Sequence, residues 1–266
     1  MRTTSLAPVW FLVSSALLVA NSSCTKKETV TQPVEVEKSI VGFATYGYGV
    51  NVRFVNPYLQ RITFTGYDDA KQISATVNGQ PMRRRNNFNS LGLTSEYKVT
   101  FNQNCVFNVN IDGKAAAVTE IMPDSLFITS HQNGATVSPN QPVTLQWNNP
   151  SNTDFYFISA RAEQGIVFLL DSTFVTITNQ LILPAKFFPT GATTVIDILA
   201  VAGLPPYTTS VSNLQGDLRG RFYFYVQTAF FRLRSGSGAT PQTGIANSTD
   251  TEYVINRFKE FIGFVE

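Results

Sequence analysis

Histidine, cysteine and charge are scarce in this chain, and each scarcity removes a class of chemistry. The 266 residues hold one histidine, His131, and two cysteines, Cys24 and Cys105. A zinc site needs about four ligands drawn mainly from His and Cys, so such a site is excluded by count. Hydrolases built on a Ser-His-Asp or Cys-His arrangement would have to use His131, which lies in the turn-like stretch Ser130-His131-Gln132-Asn133-Gly134, and the chain has no Gly-x-Ser-x-Gly elbow. Only 14% of residues are charged and the formal net charge is +2, which gives no electrostatic footprint for nucleic acid. No phosphate loop, dinucleotide fingerprint or calcium loop occurs, and no cofactor is expected.

Long apolar runs are also lacking, with one exception at the start. Arg2 precedes the run 9–20 (VWFLVSSALLVA), then Asn21, Ser22 and Ser23, then Cys24. A run of this length is shorter than the roughly 20 residues that cross a bilayer, and its order is that of a signal peptide over 1–23. A signal ending in small residues directly before Cys resembles the lipobox of bacterial lipoproteins. In that family the Cys thiol is acylated and becomes the mature N-terminus. The resemblance implies a lipid attached at Cys24, a membrane partner through that lipid, and a location in the cell envelope at the outer membrane. Asn21 stands where the family has an apolar residue. Ordinary secretory cleavage near Ser22 or Ser23, leaving Cys24 a simple thiol, is the alternative. Acylation would leave Cys105 without a disulfide partner, and its setting in the alternating run CVFNVNI predicts a buried small residue rather than a reactive thiol.

Residues 24–38 follow as a polar tether (TKKETVTQPVEVEK after Cys24) with no apolar face. The roughly 240 residues left without the signal are enough for an all-β body, expected as two antiparallel sandwich-like domains, 39–121 and 122–234. In the first, Val, Ile, Phe, Tyr and Thr alternate with turn residues, predicting strands at 50–55, 60–65, 72–77, 97–101 and 105–111. Asn78-Gly79 and Asp112-Gly113 predict two-residue hairpins, because both central positions of a type I′ turn need positive φ.

The second half restarts at Met122-Pro123-Asp124-Ser125. Leu145-Gln146-Trp147, then Tyr156, then the apolar run 194–201 resemble a fibronectin type III or related immunoglobulin-like sandwich. That resemblance implies that Leu145 and Trp147, on one face of a strand, sit between two sheets. Thr194 stands where those domains carry a corner tyrosine. The aromatic stretch 221–234 (RFYFYVQTAFFRLR) reads as a strand or hairpin completing a sheet, 235–248 as a Gly/Ser/Thr linker, and 249–266 as a short C-terminal helix. Thr249 and Glu252 have capping-box spacing, and Val254, Phe258, Phe261 and Val265 form its stripe.

Three groups of side chains are candidates for binding. Tyr46, Tyr48, Tyr58 and Tyr67 cluster among glycines and could form a recognition face. Arg83, Arg84 and Arg85, placed in a loop with Asn86 and Asn87, could hold an anion such as a lipopolysaccharide phosphate. The acids Asp68, Asp69, Asp154, Glu163, Asp171 and Asp197 are numerous enough for a paired-carboxylate hydrolase, but Asp197 alternates with Ile196 and Ile198 and is expected to face solvent. The chain as a whole resembles outer-membrane lipoproteins of Gram-negative bacteria with tandem immunoglobulin-like domains. A non-enzymatic structural or recognition role with a protein or glycan partner is the leading expectation. A glycan-binding lipoprotein of a polysaccharide-uptake system comes second, and a carboxylate-dependent hydrolase third.

Overall fold

The computed structural model describes residues 38–47, 60–87, 90–95, 97–165, 167–205, 207–228, 231–236 and 248–262. All of them lie in the compact unit Val36–Glu266. Strand β1 (Ser39–Gly47) pairs antiparallel with β2 (Gln60–Thr65). The next strand, β3 (Ile73–Val77), turns into the short β4 (Gln80–Pro81) through Asn78 and Gly79 at φ 47° and 77°, the hairpin that Asn-Gly encodes. β5 (Arg83–Asn87) and β6 (Ser90–Ser95) form another antiparallel pair. β7 (Asn104–Ile111) and β8 (Lys114–Ile121) close over Asp112 and Gly113 at φ 50° and 86°. The Asp112 carboxylate also accepts the Lys71 and Gln72 amides at 3.0 and 2.8 Å, fixing this turn to the start of β3.

The second half supplies β9 (Thr136–Val137), β10 (Val143–Gln146), β11 (Phe155–Gln164), β12 (Val167–Thr176), β13 (Gln180–Leu183) and β14 (Thr193–Gly203). β15 (Gln215–Gly216), β16 (Arg221–Gln227), β17 (Phe231–Ser235) and the helix α1 (Ser248–Phe261) complete it. Ten strands form one long sheet in the order β12-β11-β14-β16-β1-β2-β6-β5, with β17 beside β14 and β9 beside β17. A five-stranded sheet runs β15-β8-β7-β3-β4, and β10 pairs with β13.

The long sheet crosses the division expected at 121/122. β16 pairs parallel with β1, Val41 opposite Arg221 through Gly47 opposite Gln227, so strands from both halves share one ladder. Local periodicity sets which face a residue uses and says nothing of a parallel partner some 180 positions away in the chain. Residues 221–235 do not form a hairpin. β16 and β17 lie end to end along the same side of β14, Gly203 opposite Tyr223 and Thr193 opposite Arg234, as one interrupted strand near the middle of the sheet. The strand expected at 97–101 does not form: residues 97–100 have no regular secondary structure and Phe101 opens a turn, with Val99 buried. The arginines 83–85 lie in β5 rather than in a loop. The expected strand at 50–55 falls outside the described residues.

Both faces of the long sheet are covered at its centre. On one face, Phe222 and Phe224 of β16 meet Phe107 of β7 at ring distances of 5.2 and 5.8 Å, and Trp147 meets Tyr156 of β11 at 5.2 Å. These contacts join the five-stranded sheet and the β10-β13 pair to the long sheet in one apolar core. On the other face, Phe43, Phe155, Phe157, Tyr223 and Tyr225 receive Phe258 and Ile262 of α1. A strand covered on both sides reads as a continuous apolar run, which is why β14 is buried at every position and β16 at all but its first. Asp197 is therefore buried too, at 5% exposure, against the expectation that it faces solvent. Leu145 and Trp147 are buried as the sandwich resemblance implied.

Candidate functional site

Of the four tyrosines only Tyr67 has a described side chain. Tyr46 is placed by its backbone alone, opposite Val226 in the β1-β16 ladder, and Tyr48 and Tyr58 lie outside the described residues. Tyr67 follows Gly66, whose φ of 73° turns the chain out of β2, and is half-buried with its ring edge-on to Phe64 at 6.3 Å. The Lys38 ammonium stands 5.4 Å from the Tyr67 ring centre and 3.3 Å from an Asp69 oxygen. Burial raises the Tyr67 phenol above its ordinary range, and the Lys38 charge opposes that shift. A cavity of about 370 Å³ opens here, lined among others by Lys38, Tyr67, Asp69, Asp112, Lys114 and Asp217. It is a small cleft of mixed charge, suited to a ligand bearing both signs or many hydroxyls. The Lys38–Asp69 pair is exposed on both sides and adds at most about 1 kcal/mol.

A second concavity, of about 440 Å³, lies over the outer face of the five-stranded sheet. Ser74, Thr76, Asn108, Asn110, Ala117 and Gln215 are among its lining residues, and Asn108 Nδ2 donates to Thr76 Oγ1 at 3.4 Å. Amides and hydroxyls both donate and accept, the pattern that recognises sugar hydroxyls or peptide groups. Sequence reasoning missed this face. Its signal was the small polar residues taking alternate positions in ISATV and NCVFNVNI, while the intervening residues Ala75, Val77, Phe107 and Val109 are buried.

The remaining candidates are dispersed. Arg83 and Arg84 are exposed on β5, and only the backbone of Arg85 is described. His131 Nδ1 lies 2.8 Å from Ser130 Oγ, which also accepts the Gln146 amide at 3.0 Å, so the pair belongs to a local turn. Cys105 is fully buried and its thiol is pushed up to about 12 by that burial, which removes it as a nucleophile at neutral pH. Among the described residues no group of three or more His, Cys, Asp or Glu could hold a metal ion, and no helix is long and apolar enough to cross a membrane.

The acids singled out from sequence are engaged separately. Asp154 accepts the Gly203 amide at 2.8 Å, Glu163 is paired with Arg161, and Asp171 accepts the Tyr253 hydroxyl with Arg257 at 3.9 Å. Asp68 and Asp69 are exposed in the turn after β2. The acid that sequence reasoning passed over is Glu120 of β8. Burial first, and the nearby Asp154 charge second, raise its carboxyl above the ordinary range. Ionising Glu120 therefore costs stability in the folded state. The cost is absent below the unfolded value near 4.5, grows as pH rises from there, and is complete above the raised folded value. Glu120→Gln should raise the melting temperature at pH 7 and leave it unchanged at about pH 3. Equal effects at both pH values would show that the substitution acts through packing rather than charge.

Comparison with known proteins finds no family model that matches the chain and no match among curated proteins.

Proposed function

We propose that the chain is an exported, lipid-anchored protein of the bacterial envelope, acylated at Cys24, whose β body has a structural or recognition role rather than a catalytic one. The observation that carries this reading is the order of the first residues: one cation, a short apolar run, small polar residues, then Cys24 and a polar tether. Acyl chains contribute about 0.8 kcal/mol per buried CH2, so several chains on one thiol hold a protein at a bilayer essentially permanently. The second half of the body is read as an immunoglobulin-like sandwich. The run β12-β11-β14-β17-β9 facing the β10-β13 pair, with Leu145 and Trp147 between, supports that assignment.

Radiolabelled palmitate should enter the parent protein and not Cys24→Ala; equal labelling of the two overturns the anchor. A glycan-binding role is the second reading, favoured by the amide and hydroxyl face over Ser74, Thr76, Asn108, Asn110 and Gln215. It requires a rise of melting temperature with at least one polysaccharide, lost in Asn108→Ala/Asn110→Ala.

A further inference from the structure

The long sheet ends in two edges of opposite character. β12 at one end exposes Val167, Phe168 and Leu169 in succession, while β5 at the other carries Arg83, Arg84 and Arg85. β5 has β6 on one side and, among the described residues, no strand on the other. The charged residues of β1, β2, β6 and β5 are Arg61, Arg83, Arg84 and Arg85, with no acid among them. A chain whose formal net charge is +2 thus gathers four positive charges in four neighbouring strands. Charged side chains keep a sheet edge from pairing with another, as the arginines do on β5, whereas the β12 edge leaves three apolar side chains in a row exposed.

The ladder also fixes where this edge lies. Val41 faces Thr63, Thr63 faces Gly92 and Gly92 faces Arg85. At about 4.8 Å per strand, the arginine edge is roughly 15 Å from the start of β1, where the tether joins the body. The 14 residues 25–38 that separate Cys24 from the body span at most about 50 Å of chain. A bilayer holding Cys24 is thus within reach of β5.

We infer that the β5 edge, with Arg83 and Arg84 exposed and Arg85 next to them in the strand, docks on the anionic phosphate headgroups of the bilayer that holds the anchor and so orients the body. The inference rests on the lipoprotein reading for the bilayer's presence. Guanidinium groups bind phosphate through paired N–H donors, and a tether makes even a weak surface attraction effective by keeping its target close.

The test uses the full chain carrying Cys24→Ala, so that no acyl chain contributes, and measures co-sedimentation with two kinds of vesicle. Pure phosphatidylcholine reads whatever the apolar leader binds; vesicles with about 30% phosphatidylglycerol add the negative surface. The three arginines should add about a hundredfold, about fivefold each, to the preference for anionic over neutral vesicles beyond what Arg2, Lys26 and Lys27 add, and the preference should be lost at about 0.5 M salt. Arg83→Gln/Arg84→Gln/Arg85→Gln should lower the anionic preference about a hundredfold, Arg84→Gln alone should cost about fivefold, and the triple lysine replacement, which keeps the charge, should retain most of it. An anionic gain undiminished in the glutamine variant overturns the inference. So does its loss in a lysine variant that melts like the parent, or capture by polyglutamate with no preference for anionic vesicles. Palmitate labelling of Cys24 is a separate readout, so failure of the anchor and failure of the arginine edge are told apart.

Discussion

Phe258→Ala should release α1 from the sheet while leaving the β body folded. Phe258 is 1% exposed and its ring lies 5.2 Å from Phe157, 5.6 Å from Tyr223 and 5.4 Å from Tyr225. Truncating a buried phenylalanine costs about 3–5 kcal/mol. The other contacts are smaller: Ile262 is buried beside it, Lys259 is buried with its ammonium 5.9 Å from the Phe43 ring, the Phe261 ring touches Phe157 at 5.2 Å but stays partly exposed, and Tyr253, with Arg161 over its ring, and Arg257 reach Asp171 at the rim. A free 14-residue helix is marginal in water, so undocking and unfolding of α1 should go together. The full cost exceeds what so small a contact supplies, and the loss should stop at the helix. Hydrogen exchange should show amides 248–262 exchanging nearly as in a free peptide while those of β14 stay protected. Unchanged protection of α1 would place its anchor elsewhere.

Gly42→Ala should instead weaken the whole body. Gly42 faces Phe222 directly in the parallel ladder, and a Cβ at Gly42 would stand 2.2, 2.5 and 2.8 Å from three atoms of the Phe222 ring. That ring is fully buried and packed on Phe107, so it has nowhere to retreat. Overpacking of this kind costs about 3 kcal/mol, and for a body of this size that lowers the melting temperature by about 6–12 °C. Phe222→Leu introduced with Gly42→Ala should recover part of the loss, a non-additivity visible in a double-mutant cycle of thermal melts. Additive losses would mean that the two positions do not compete for the same space.

What was legible in the sequence was whatever a few adjacent residues decide. Asn78-Gly79 and Asp112-Gly113 turn as written because positive φ at both positions is a local requirement. Strand β2 falls on residues 60–65, Cys105 is buried as its alternating run implied, and Leu145 and Trp147 are buried as the sandwich resemblance implied. The helix at the C-terminus also follows from its apolar spacing. Pairing over long separations was not legible: nothing near Val41 names Arg221 as its neighbour. Asp197 was misjudged because alternation implies an exposed face only when one side of the sheet is open, and here α1 covers it. The amide face lacks the aromatic residues that draw attention to a binding surface. The Glu120 and Asp154 charges meet only in three dimensions.

The place of β16 governs how the body can assemble. Among the described residues it is the one strand that stitches β11, β12 and β14 to β1, β2, β5 and β6 in the long sheet, yet it begins only at Arg221. A chain emerging N-terminus first must hold its opening strands with a bare margin through most of its synthesis or passage, and contacts this distant in sequence form slowly. A nascent chain halted before that point carries two ragged half-sheets that cannot meet, each a template for the wrong neighbour.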